Sequence, residues 1–280
     1  MMRSPMNRHV TSSARCRRTS STQRDVIHAQ GHTGSKKNST PGIDCDSSTS
    51  FGSMADSTPL SVHTPTGTPK GAVVVIQEAF GVNDHIEDVC RRFAEEDWLA
   101  VAPHLFHRTG DPKLGYDDFS VIMPHMQALT KDGVLADVDA AIAEVALHNI
   151  PATRTGIVGF CMGGTVALLV DTERDLGAAV TFYGGGVKEG RFGFPALVDA
   201  APGLRAPWLG LFGDLDKGIP VEHVEELRGA AARSGQPTQV VRYPDADHGF
   251  HCDQRESYHA SSATDAWNRA LAWFGHYLKD

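Results

Sequence analysis

The chain has 280 residues, 41% of them hydrophobic, and no apolar run approaching the roughly 20 residues that a bilayer span requires, so it reads as a soluble globular protein without a membrane helix. Its net charge of -8 is unevenly spread: residues 1–53 carry 8 Lys/Arg against 3 Asp/Glu, and the remainder 18 against 31. An acidic body offers no basic face to nucleic acid. The 5 cysteines, scattered and without a C-x-x-C pair, suggest neither a disulfide framework nor a structural zinc site.

Residues 1–53 are rich in Ser, Thr and Arg and lack any periodic apolar stretch, so they cannot bury enough surface to offset the entropy of ordering and are expected to be disordered. Six arginines precede the first acidic residue, Asp25, a composition compatible with a cleaved organelle-targeting peptide. The simpler reading is an upstream extension of the reading frame, because Met54 stands shortly before the first expected strand. From Met54 onward, short β-branched runs alternate with amphipathic stretches, which predicts one α/β domain over residues 54–280 with a mainly parallel sheet between helical layers. Strands are predicted at Ala72–Gln77, Leu99–Ala102, Thr155–Phe160, Ala178–Tyr183, Trp208–Phe212 and Gln239–Tyr243. Helices are predicted near Asp84–Asp97, Tyr116–Leu129, Lys131–His148, Met162–Asp171, Val221–Ser234 and Ser257–Leu278.

The most informative run is Thr155-Gly156-Ile157-Val158-Gly159-Phe160-Cys161-Met162-Gly163-Gly164, in which a strand enters a Gly-x-Cys-x-Gly corner and a helix leaves it. Such a nucleophile elbow forces its central residue into a strained conformation, with its side chain projecting above the strand ends, and only small neighbours permit so tight a turn. Gly159 and Gly163 provide that room. The helix beginning near Met162 directs backbone N–H groups at the corner, favouring both a thiolate and an oxyanion. Taken alone, a thiol beside a glycine turn is also what a buried, inert cysteine looks like.

A cysteine nucleophile needs a group that takes its proton and later returns it, and histidine suits both tasks near neutral pH. His248, in Asp247-His248-Gly249-Phe250 just after the last strand, is the candidate. An orienting carboxylate should lie beyond another strand, and Gly213-Asp214-Leu215-Asp216-Lys217-Gly218-Ile219-Pro220 offers two: Asp216 is preferred, with Asp214 read as a turn cap. The chain order Cys161, Asp216, His248 is that of the α/β-hydrolase fold. His104 with His107, or His248 with His251 and Cys252, complete no established ligand spacing, so no metal is expected.

With these motifs, and with Gln77-Glu78-Ala79-Phe80-Gly81-Val82-Asn83 after the first strand, the chain from Met54 to Asp280 resembles the dienelactone hydrolase family. The resemblance implies an α/β-hydrolase fold, a thiol in place of the usual serine, and a role for Glu78 in generating the thiolate when substrate arrives. The residues make sense of that role: a carboxylate tucked at a strand end among Ile76, Ala79 and Phe80, partly desolvated, is a proton acceptor. By the same resemblance, the backbone N–H groups of Ala79 and Met162 form the oxyanion hole. The family's reference activity is the opening of an unsaturated lactone bearing a carboxylate, which arginines hold at the pocket mouth. Arg108 occupies a matching position, where a guanidinium would clamp the acid in fork geometry. The second arginine expected four residues after the histidine is Cys252 here, with Arg255 nearby. Tyr183, at a strand end, lines either the pocket or the edge of the core.

The expectation is therefore a cytosolic, cofactor-independent hydrolase, monomeric or a small homo-oligomer, that opens a small lactone or ester through a thioester on Cys161. Dienelactone-type substrates suit a thiol, since a stabilised enolate leaves readily, whereas an alkoxide favours return of the thiolate. A catalytically silent scaffold of the same fold is the contrasting reading, and the joint retention of Cys161, Asp216, His248 and Glu78 argues against it. A redox-sensing thiol would need Cys252 as its resolving partner.

Overall fold

The computed structural model describes residues 57–116 and 119–279. The expected leader, residues 1–53, lies outside the described residues. Seven strands form one sheet: β1 (Leu60–His63), β2 (Ala72–Ile76), β3 (Leu99–Pro103), β4 (Thr155–Phe160), β5 (Ala178–Phe182), β6 (Trp208–Gly213) and β7 (Thr238–Tyr243). Their spatial order is β1-β3-β2-β4-β5-β6-β7. Every adjacent pair is parallel except β1 with β3. Strands β2 to β6 are buried along their whole length, as strands covered on both faces must be, and therefore read as continuous apolar runs.

The longer helices are α1 (Asp84–Glu95), α3 (Lys131–Leu147), α4 (Met162–Glu173), α6 (Val221–Ala231) and α7 (Ala260–Tyr277); α2 (Met123–Gln127) and α5 (Leu197–Ala200) are short. On one face α1 meets α7 where the Phe93 ring lies 4.6 Å from Trp267 and 6.0 Å from Phe274. Caps fix two helix starts: the Asn83 side chain accepts from the Ile86 N–H, and Thr130 Oγ1 accepts from the Gly133 N–H. Among the described residues no helix is long and apolar enough to cross a membrane.

Two departures from the sequence reading have physical causes. Strand β1 was not anticipated; it is a short edge strand held antiparallel by β3, with no apolar run of its own. The helix expected over Tyr116–Leu129 is instead a single turn at Phe119–Val121 followed by α2. Pro124 sits in the first turn of α2, where its missing N–H costs nothing, whereas in a helix begun at Tyr116 it would fall in the interior.

Strand order also positions the chemistry. The chain runs outward from β2 to β3 and then returns to place β4 on the other side of β2, so β2 and β4 flank the point where the winding reverses. In open parallel sheets the crevice at the carboxyl ends of such a pair is where ligands bind.

Candidate active site

Register alone brings the first two residues together. Ile76 pairs with Gly159, so Glu78 and Cys161 each stand two residues beyond a matched position on neighbouring strands. Phe160 pairs with Phe182 in the same way, which sets Tyr183 level with Cys161 on the other side.

The elbow has the expected steric logic. Cys161 adopts φ 54°, ψ -116°, a strained conformation for a residue with a side chain, costing on the order of 1–3 kcal/mol. Its N–H donates to the Phe182 carbonyl (3.1 Å), and its carbonyl accepts from the amides of Gly164 (3.0 Å) and Thr165 (3.3 Å), so the sheet and the first turn of α4 hold it on both sides. A Cβ on Gly159 would lie 1.9 Å from the Gly163 carbonyl oxygen, and one on Gly163 would lie 2.4 Å from that of Ile76. Met162 opens α4, so its N–H is one of those with no acceptor inside the helix.

Beyond β6 and β7 the two candidate acids separate cleanly. Asp216, 4% exposed, accepts from His248 Nδ1 (2.6 Å) through Oδ2 and from the Gly218 N–H (2.8 Å) through Oδ1. Asp214 is not a local turn cap: Arg242 grips both of its oxygens at 2.7 Å. The half-buried His248 ring neighbours Cys161, whose sulfur acts on it electrostatically. Burial pulls the His248 pKa down, but the charge of Cys161 and the bond to Asp216 outweigh it and raise it to about 10. Asp216 therefore holds the imidazole, with Cys161 within electrostatic reach of the same ring.

Glu78 is wholly buried. Its Oε2 accepts from the Tyr116 hydroxyl (3.2 Å), its Oε1 has no hydrogen-bond partner, and Arg255 Nη1 stands 3.6 Å from Oε1 without a hydrogen bond. The Tyr116 oxygen in turn accepts from Asn83 Nδ2 (3.1 Å) and from the Cys252 thiol (3.3 Å). Burial, then the Glu78 charge, push the Cys252 thiol up to about 11. The Arg255 guanidinium lies over the rings of Phe80 (5.7 Å) and Tyr116 (5.6 Å). Tyr183 is fully buried, its ring 5.2 Å from that of His248 and its hydroxyl without a hydrogen-bond partner.

Arg108 has a different setting. Asp137, wholly buried in α3, takes Arg108 Nη1 (2.7 Å) and Nη2 (2.9 Å), together with His107 Nε2 (3.1 Å). The arginine beside Glu78 is Arg255. His104 is likewise committed to Asp111 (2.8 Å) and Ser61 (3.0 Å). Sequence reading passed over Tyr116 and Asn83 as site residues; Tyr116 stands where a helix was expected and lies instead in an irregular segment, although Asn83 was legible as the residue ahead of an expected helix.

The arrangement combines a strained thiol, an imidazole held by a carboxylate, helix amides at the corner and a buried carboxylate with one open oxygen. Such a set can carry out acyl transfer. The profile of the dienelactone hydrolase family matches residues 60–278. A Yersinia pestis protein provisionally named carboxymethylenebutenolidase is 40% identical over 241 residues, spanning 84% of this chain and 89% of that protein. A protein of Escherichia coli K12 with the same provisional name is 40% identical over 234 residues, spanning 82% and 86%. A Klebsiella pneumoniae crystal structure provisionally described as a dienelactone hydrolase superposes with a TM-score of 0.73 at 41% identity, covering 79% of this chain and 93% of that one.

Proposed function

The chain belongs to the dienelactone hydrolase family and is a hydrolase of α/β-hydrolase fold, and we propose that it opens lactones or cleaves activated esters through a thioester on Cys161, with an activity of carboxymethylenebutenolidase type. The observation that carries this reading is the 2.6 Å hydrogen bond that holds His248 on Asp216, with Cys161 acting on the same ring from φ 54° at the start of α4.

In this mechanism Cys161 attacks the acyl carbon and the carbonyl π electrons move to its oxygen, which the N–H groups of Ala79 and Met162 stabilise. The tetrahedral species collapses with loss of the enolate or alkoxide, and His248 gives that leaving group its proton. His248 then takes a proton from water as the water attacks the thioester, and Cys161 leaves as the thiolate. Asp216 fixes the ring and stabilises the imidazolium. Glu78, with Oε1 open, takes the thiol proton as Cys161 attacks and returns it to the sulfur after the thiolate leaves. Tyr183 lines the pocket beside His248. Arg108 would have to leave Asp137 to meet a substrate carboxylate, so Arg255 is the cation assigned to that task. The substrate is a small lactone or ester, handled without a cofactor in a cytosolic monomer or small homo-oligomer.

Cys161→Ala should abolish lactone hydrolysis while leaving the folding transition within about 1 kcal/mol of wild type, because little is buried or lost at the side chain. Quenched wild-type reactions should contain an acyl adduct on the Cys161 peptide by mass spectrometry. Undiminished turnover in the alanine variant would refute the mechanism. The raised His248 pKa adds a pH test: the imidazolium acid persists until about pH 10, so turnover should fall as pH rises through that value. The same shift, from 6.5 to about 10, means that this pair's contribution to folding stability is complete below pH 6.5 and is lost as pH rises through about 10.

A further inference from the structure

Glu78 also belongs to a second, buried cluster. One ligand atom each from Glu78, His85 and Cys252 all lie within 4.8 Å of one another, and all three residues are buried. They come from three separate segments: the loop after β2, the first turn of α1, and the loop after His248. Two of them hold buried polar atoms without a hydrogen-bond partner, Oε1 of Glu78 and Nε2 of His85. Burying such atoms unmet is costly, and a ligand held among the three residues would relieve that cost.

We propose that Glu78, His85 and Cys252 form a binding site for a divalent cation of zinc type, and that its occupancy withholds Glu78 from the nucleophile. The donor set chooses the ion. A thiolate and an imidazole exclude the hard cations, which take oxygen ligands, and together with one carboxylate they suit zinc. Zinc bonds of about 2.0–2.3 Å hold tetrahedral ligand atoms roughly 3.5 Å apart, so the set closes by about 1 Å on binding, a distance that side-chain rotation supplies. The fourth position is left for water.

Binding breaks the Cys252 S–H bond; the proton leaves to solvent and the sulfur lone pair goes to the metal, so affinity rises with pH. Arg255, 3.6 Å from Glu78 Oε1, and Arg92, which acts on His85, oppose a cation here, while Asp253 and Asp88 act on His85 with the opposite sign. A cavity of about 70 Å³ lined by His85, Asp88, Arg92, His251 and Asp253 meets the cluster at His85 and carries both signs of charge.

The site stands on its own geometry, whereas its effect on turnover rests on the role proposed above for Glu78. The full chain carrying Cys161→Ala, which removes the competing thiol, should bind Co²⁺ with a thiolate-to-metal absorption band that Zn²⁺ abolishes. Adding Cys252→Ala should remove one equivalent and its band. No band in the first protein, or an undiminished one in the second, overturns the site. Zn²⁺ that lowers wild-type turnover 10-fold, reversibly by chelation, should lower that of Cys252→Ala less than 2-fold relative to its own metal-free rate. Equal inhibition of both proteins would place the metal on Cys161 and His248 and overturn the regulatory effect. A metal-free wild type that hydrolyses no lactone fails the proposed function instead, and leaves the binding result to be judged on its own.

Discussion

Asp137 and Glu78 are both wholly buried carboxylates, and the fold surrounds them in opposite ways. Asp137 accepts from Thr58 Oγ1 (2.7 Å), His107 Nε2 (3.1 Å) and both terminal nitrogens of Arg108 (2.7 and 2.9 Å). Glu78 has one hydrogen bond of 3.2 Å, an open oxygen, and an arginine just beyond bonding distance. The first is a structural charge: its bonds tie residue 58, the segment after β3 and helix α3 together, and nothing is left for it to do. The second is held short of satisfaction at the carboxyl edge of β2. An acceptor with a vacant lone pair in a dry site is what proton abstraction requires. The completeness of the partners distinguishes these two carboxylates; their burial does not.

The largest test of this contrast is Glu78→Gln. The amide keeps the shape but cannot take a proton, so kcat/KM should fall by about 10²- to 10⁴-fold, the range for a lost general base. Its folding free energy should fall by less than about 2 kcal/mol, because the one hydrogen bond at stake is long and Arg255, 3.6 Å from Oε1, makes none to it. A thermal or denaturant transition displaced by several kcal/mol would make Glu78 a second Asp137 and break the comparison. Asp137→Asn is the mirror image and the next largest effect. It leaves Arg108 facing a neutral partner, and it should cost about 3 kcal/mol, at the low end for a broken buried pair because Arg108 is partly exposed. Turnover per folded molecule should change less than 3-fold; a 100-fold loss there would mean that the Asp137 cluster reaches the chemistry.

The difference between the two carboxylates was only half visible in the sequence. Glu78 stood out through the family resemblance carried by Gln77-Glu78-Ala79-Phe80-Gly81-Val82-Asn83, and Cys161 because Gly159 and Gly163 flank it at a strand-to-helix corner. Strands β2 to β6 were legible for the same kind of reason, since a strand buried on both faces has little freedom in composition. Asp137 carried no such mark: on an amphipathic stretch it reads as one more solvated acid, and only the path of residues 107–108 turns it into a buried hub. Arg108 was placed by its position in sequence, with Arg255 noted nearby; the loop paths put Arg108 on Asp137 and Arg255 beside Glu78. Asp214 and Asp216 were separable only by their partners, Arg242 for one and His248 for the other. Tyr116 stands at the start of an expected helix that does not form there, so nothing local could aim its hydroxyl at Glu78.

That tyrosine supplies the smallest and sharpest test. Tyr116→Phe removes the single hydrogen bond that the Glu78 carboxylate accepts and leaves the ring against Phe80, where the centroids lie 4.4 Å apart. A net bond of about 1 kcal/mol corresponds to roughly a 5-fold change, so the expected fall in kcat is 3- to 10-fold. Tyr116 acts through Glu78 and is a positioning residue, so kcat should change while KM for a small lactone stays within 2-fold. Asn83 and Cys252 lose their shared acceptor at the same time, which should cost about 1 kcal/mol of stability. If Glu78 is poised chiefly by its open oxygen, adding Glu78→Gln to Tyr116→Phe should lower kcat no further than Glu78→Gln alone. Independent, multiplicative losses would instead mean that the phenol acts on the substrate directly and that Glu78 needs no positioning.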